Sequence, residues 1–346
     1  MFKIRATVAV LAVAAVVTAC AGSDADTAKQ DDGSYELKYM QASDSFAYLP
    51  FFVAENEGYF EDENVKIDRQ PNIGVSAQAA QAVVTGDVDI AAIGTTGAYG
   101  AMAQGRAIQS LAVMTKQSLL EVVLSTKAAE AAEAAGVTPE SSIEDRIKAM
   151  RGLKIAIVPE GSISRVQFEA ALRSYDLDPD KDVTLLPIED PTALVASIRE
   201  GTADAFVFTL PNTRVATAEG FGVTWISYPR GDVPALEDQY LIDITSPTSF
   251  AAKNKDALEA FMRAIWKAVD LINDDPEAAR EAVKKSFPDM DEEVFNQAYD
   301  ATLAAFADGI VPDEDGFQRT FDLFNGTLDA PTDLDFATAY DTSIVE

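Results

Sequence analysis

From Tyr35 onward, short apolar runs alternate with amphipathic stretches, and the order of these pieces returns once further along the chain. Strands and helices taking turns in this way cannot build a pure helical bundle or an all-β sandwich. They predict parallel or mixed α/β sheets with helices packed on the faces. In the first copy, strands are read at 35–41, 64–69 and 88–93, with helices at 48–57 and 73–84 between them. In the second, strands fall at 153–158, 183–188 and 203–208, with helices at 162–174 and 191–199. Gly86 and Asp89 match Gly201 and Asp204 in a Gly-x-x-Asp core 115 positions apart, and the opening strands at Tyr35 and Leu153 are 118 apart. A near-constant offset over five elements predicts two lobes of one design. The Gly-x-x-Asp core itself reads as punctuation, with Gly as a left-handed helix cap and Asp in the turn before a strand.

Two strand-like runs at 109–125 and an Ala/Glu-rich helix at 127–136 link the copies. The first crossing between lobes is expected near 122–126, and an extended segment at 239–249 brings the chain back, so two crossings form a hinge. The last hundred residues are mostly helical. Leu258, Phe261, Ile265, Val269 and Ile272 recur at three- and four-residue spacing, which turns one apolar face toward the first lobe with Trp266 beside it. Two further helices are expected within 287–324, broken near Pro288 and Pro312. The division predicted is 35–122 with 246–346 as lobe 1, and 123–245 as lobe 2.

The N-terminus reads as an export signal. Lys3 and Arg5 precede an apolar run of ten residues, Val8 to Val17, too short for a transmembrane helix, which needs about 20. Residues 1–19 are therefore expected to be a signal peptide. Val17-Thr18-Ala19-Cys20 resembles the lipobox of bacterial lipoproteins, and Cys20 is the only cysteine, so no intrachain disulfide is available. Lipidation of Cys20 and a flexible tether over 20–34, small and polar, are the expectation.

Composition excludes more than it selects. A net charge of −30 opposes a nucleic-acid partner, because phosphate binding needs a cationic surface. Histidine is absent, so Ser-His-Asp and Cys-His nucleophile systems and histidine-bearing zinc sites are impossible. No carboxylate pair has diagnostic spacing. No cofactor or metal is expected.

The segment Tyr48-Leu49-Pro50-Phe51-Phe52-Val53-Ala54-Glu55-Asn56-Glu57-Gly58-Tyr59-Phe60, the run Gly86-Asp87-Val88-Asp89-Ile90-Ala91-Ala92-Ile93-Gly94 and the strand Leu153-Lys154-Ile155-Ala156-Ile157 together carry a resemblance. From Tyr35 to about Trp266 the chain resembles the type II periplasmic-binding-protein solute receptors of the nitrate, sulfonate, taurine and thiamine-precursor group. The resemblance implies a two-lobed α/β fold that closes over a small solute, read by an ABC permease and its ATPase, in a monomeric, exported, membrane-anchored protein. It implies no catalytic group. One branch of the family makes a thiamine pyrimidine by consuming its own histidine, which this chain lacks.

Carried onto these residues, the family's pocket lies on the loops after the strands: Gln41, Ser43, Asp44, Phe46 and Tyr48 after the first, Gly94, Thr95 and Thr96 after the third, Ser162, Ser164 and Arg165 in the second lobe, and Phe208, Thr209 and Asn212 after its third strand. Helix N-termini with free N–H groups suit a sulfonate, carboxylate or nitrate, and Ser and Thr hydroxyls add donors or else cap the helices. A cation is unfavourable at a helix N-terminus, so Arg165 is expected to have a partner, either the solute or a surface ion pair. Phe46, Tyr48 and Phe208 read as stacking walls or as plain core. The solute expected is a small organic anion, with an aromatic carboxylate or pyrimidine as the alternative. A secreted hydrolase and a transporter-independent sensor are the competing readings.

Overall fold

The computed structural model describes residues 28–328 and 330–344. The expected signal peptide and Cys20 lie outside them. Its strands are β1 (Tyr35–Gln41), β2 (Val65–Arg69), β3 (Ile90–Gly94), β4 (Ile108–Thr115), β5 (Leu120–Ser125), β6 (Lys154–Ile157), β7 (Thr184–Pro187), β8 (Ala205–Thr209), β9 (Gly222–Ser227) and β10 (Ile242–Pro247). They form two five-stranded sheets, ordered β2-β1-β3-β10-β4 and β7-β6-β8-β5-β9. The two orders are equivalent. In each, the first three strands run parallel and the fourth is antiparallel to both its neighbours.

The strands in fourth place are the crossing strands. β5 arrives from the first lobe and inserts between β8 and β9, while β10 returns from the second and inserts between β3 and β4. The chain leaves the first sheet after Thr115 and enters the second at Leu120, a few residues before the expected crossing at 122–126. β5 carries Leu120, Val122 and Leu124 into the second lobe's core, so that lobe begins before residue 123. On the return, β10 already pairs with β3 from Ile242, so the first lobe resumes ahead of residue 246.

The repeated Gly-x-x-Asp core has the same job in both copies. Gly86 and Gly201 take φ of 73° and 71°, the left-handed region where a Cβ is strained. Asp89 then accepts the backbone N–H of Lys38 at 2.9 Å, and Asp204 accepts that of Lys154 at 2.9 Å. Each aspartate thus ties the start of its own strand to the opening strand of its lobe.

The helix Lys255–Asp274 buries Leu258, Phe261, Ile265, Val269 and Ile272, with Trp266 half-buried at its edge. This face packs on the Leu49–Asn56 helix of the first lobe. Phe261 stacks on Phe60 at 5.2 Å and approaches Tyr39 at 5.9 Å. Helices at Glu292–Thr302 and Glu314–Asn325 follow. The expected tether ran to residue 34, yet its last part is docked. Lys29 bridges Tyr35, and the Ala28 N–H donates to Asn254 Oδ1 at 2.9 Å.

Candidate functional site

Between the lobes lies a cavity of about 600 Å³, walled by both. Strand ends and helix starts meet there because parallel strands all deliver their C-terminal loops to one edge of the sheet. From the first lobe come Ser43, Asp44 and Tyr48 after β1, Asn72, Gly74 and Ser76 after β2, and Gly94 at the end of β3. The second lobe supplies Ser162 and Ser164 after β6, Glu189, Asp190 and Thr192 after β7, and Phe208, Thr209 and Asn212 at the end of β8 and beyond. Leu241 and Ile242 from the returning segment complete the wall.

Of the residues expected from sequence, Ser43, Asp44, Tyr48, Gly94, Ser162, Ser164, Phe208, Thr209 and Asn212 are brought together here. Five are not among the lining residues. Gln41 is buried behind the β1 loop, where its amide donates to the Ser43 carbonyl at 2.9 Å and to Asp44 Oδ1 at 3.0 Å. It shapes the loop from beneath. Phe46 points into an aromatic cluster, with its ring 5.2 Å from those of Phe287 and Phe295. The Thr95 hydroxyl donates to the Tyr240 carbonyl at 3.1 Å. Thr96 and Arg165 line a separate groove of about 570 Å³, also walled by both lobes.

Arg165 answers the question its position posed. Its Nε donates to Glu169 Oε1 at 2.7 Å and Nη2 to Glu160 Oε1 at 3.2 Å, so its partners are carboxylates on its own helix and the preceding turn. One helical turn separates Arg165 from Glu169, which makes this pair locally satisfied, and Arg165 is not among the residues lining the cavity.

The polar lining residues that sequence reasoning missed come from the second loop of each lobe. Asn72, Gly74 and Ser76 follow β2, and Glu189, Asp190 and Thr192 follow β7. The signal was present in the twin pattern itself, since a loop after the second strand of each copy is equivalent to the loops after the first and third.

Close lobe contact shapes the site. A Cβ on Gly94 would lie 2.4 Å from Ser76 Oγ and 2.8 Å from Ile163 Cγ2, so only glycine lets the second lobe's helix approach β3. Behind the cavity the Phe46 N–H donates to the Leu210 carbonyl at 3.0 Å, a backbone bond from one lobe to the other. Asp44 pairs with Arg69, which also reaches Glu55 at 3.7 Å. Ser162 Oγ caps its helix by accepting the Arg165 N–H at 3.3 Å, and Asp190 caps the next by accepting the Ala193 N–H at 2.8 Å. Burial pushes the Tyr48 phenol well above its usual range, so it faces the cavity as a neutral hydroxyl-bearing ring.

Twin mixed sheets, two crossing strands and a solvent-filled gap walled by both lobes define the type II periplasmic-binding-protein architecture. The chain belongs to the NMT1-like family, whose model matches residues 42–285. YtlA of Bacillus subtilis (strain 168), named as a binding protein, is 23% identical over 269 residues, covering 77% of this chain and 75% of its own. The alkanesulfonate-binding protein SsuA from Xanthomonas axonopodis pv. citri superposes with a TM-score of 0.68 at 17% identity, over 88% of this chain and 98% of that one. The 4-amino-5-hydroxymethyl-2-methylpyrimidine phosphate synthase of Aspergillus parasiticus is 22% identical over 274 residues, covering 75% of this chain and 73% of its own.

Proposed function

We propose that this protein is the substrate-binding component of an ABC import system, exported and held at the outer face of the membrane by a lipid on Cys20. The observation that carries the reading is the cavity of about 600 Å³ between two lobes joined by two crossing strands. Closing such a gap strips water from a bound solute and strengthens each polar contact with it, while coupling occupancy to a shape that a permease can read. Membership of the NMT1-like family and the similarity to YtlA and SsuA support the same role.

The synthase among the relatives raises catalysis as a second reading. A chain without histidine has no way to donate that side chain, and a receptor that binds and releases needs no chemical step. A solute recovered unchanged after long incubation with the protein is the expected result.

The anion expected from the resemblance and the helix N-termini had one candidate cation, Arg165, which is engaged with Glu160 and Glu169 outside the cavity. The solute is better sought without that assumption. A thermal-denaturation screen over sulfonates, nitrate, aromatic acids, amines, amides and pyrimidines should find one class that raises the midpoint. A solute at about 100 times its Kd stabilises the folded state by about 2.7 kcal/mol. A screen in which no class moves the midpoint would remove the receptor reading. For the anchor, a Cys20→Ser variant should be released from the membrane fraction.

A further inference from the structure

Hydroxyls and amides on the cavity wall, such as those of Ser164 and Asn212, both donate and accept, so they adapt to a solute of either sign. The decision falls to groups that can do only one of these. Carboxylates only accept, and three line the cavity: Asp44, Glu189 and Asp190. Among the described residues that line it, none is a lysine or arginine.

We infer that the cleft takes a small solute bearing N–H donors and no net negative charge, an amine, amidine or amide, and that Glu189 selects it. This rests on the receptor reading above. Asp44 is balanced by Arg69, and Asp190 is occupied with the Ala193 N–H. Glu189 has neither. It makes no hydrogen bond or ion pair among the described residues, and the first lobe makes room for it: a Cβ on Gly74 would sit 3.2 Å from Glu189 Cγ and 3.4 Å from its carbonyl oxygen. Glycine there lets a second-lobe carboxylate come against the first lobe at the cavity wall, where an entering solute meets it.

Helix N-termini are the counterweight, since each behaves as about half a positive charge within its first turn. Protein oxygens already occupy three of those at this wall. Ser162 Oγ takes the Arg165 N–H at 3.3 Å, Asp190 takes that of Ala193 at 2.8 Å, and the Leu241 carbonyl takes that of Thr95 at 3.2 Å. The Ser76–Thr85 helix begins without a side-chain cap. The partial charges at the open starts of the Ser76–Thr85 helix and the two-turn Asn212–Ala218 helix face one unpaired and two paired carboxylates, with no cationic side chain among the described residues of the wall to hold an anion. Tyr48 from one lobe and Phe208 from the other give the body of the solute apolar surface to rest on.

Benzamidine, benzamide and benzoate share one planar shape and differ in charge, so they isolate the sign that the cleft accepts. With the full chain, calorimetry and thermal midpoints should show benzamidine or benzamide binding at least tenfold tighter than benzoate or ethanesulfonate. Glu189→Gln should weaken benzamidine about tenfold and leave the ligand-free midpoint in place, because Glu189 is exposed and unpaired. Tighter binding of benzoate or ethanesulfonate would overturn the assignment and leave the receptor reading standing. So would unchanged benzamidine affinity in the glutamine variant. Failure of both N–H-bearing probes overturns it too, and failure of every solute in the wider screen removes the receptor reading with it.

Discussion

Asp243 is a fully buried carboxyl on β10 whose charge the fold works against. Burial pushes it up to about 7, although hydrogen bonds from the Ser110 hydroxyl at 2.7 Å and the Tyr340 hydroxyl at 2.9 Å pull the other way. Tyr340 in turn lies 2.8 Å from the Tyr99 hydroxyl, so this cluster pins the C-terminal segment to the first sheet. A carboxyl whose pKa is higher folded than unfolded binds more protons in the native state. Its contribution is therefore fully present below about pH 4, near the unfolded value, and is lost as pH rises to about 7. Asp243→Asn should remove this component. The difference in unfolding free energy between the native chain and the variant should shift in the variant's favour across that window, and a pH-independent difference would show that Asp243 does not titrate there.

The Lys255–Asp274 helix shows how an element is recruited by pattern and held by particular rings. Its apolar stripe determines which face turns inward, but the docking site comes from Phe60 and Tyr39 on elements distant in sequence. Phe261→Ala removes a fully buried ring from that contact. It should cost about 3–5 kcal/mol in urea-induced unfolding, the usual range for an aromatic core truncation. A loss under about 1 kcal/mol would mean that the helix packs without depending on this ring.

For the whole molecule, the decisive contact is the approach of the lobes at Gly94. A methyl group there has nowhere to go, with Ser76 Oγ 2.4 Å and Ile163 Cγ2 2.8 Å away. Overpacking of this kind costs about 1–3 kcal/mol unless something moves: the Ser76 hydroxyl, on the same lobe, must turn aside, and relief from Ile163 on the other lobe separates the two. Gly94→Ala should therefore expand the molecule in small-angle scattering and weaken solute binding about tenfold. Adding Ile163→Ala should restore part of the affinity, since it removes the atom that is struck. Unchanged dimensions and affinity in Gly94→Ala would show that the side chains absorb the methyl locally.

Much of this architecture was legible in the sequence because it depends on local pattern. Alternating apolar runs determined the strands and helices of both lobes, the Gly-x-x-Asp repeat marked their equivalence, and the stripe from Leu258 to Ile272 marked a buried helix. Nine of the expected site residues do line the cavity, since parallel strands deliver their C-terminal ends to one edge whatever the side chains are. What depends on direction and distance was decided only by the tertiary structure. Arg165 stood at the right helix start but found Glu169 one turn along, Phe46 turned to Phe287 and Phe295, and Glu189 reached the cleft because Gly74, more than a hundred residues earlier, left space for it. Periodicity tells which face of an element is apolar. Which charge meets which across a gap is set by three-dimensional packing, and that is where the solute is chosen.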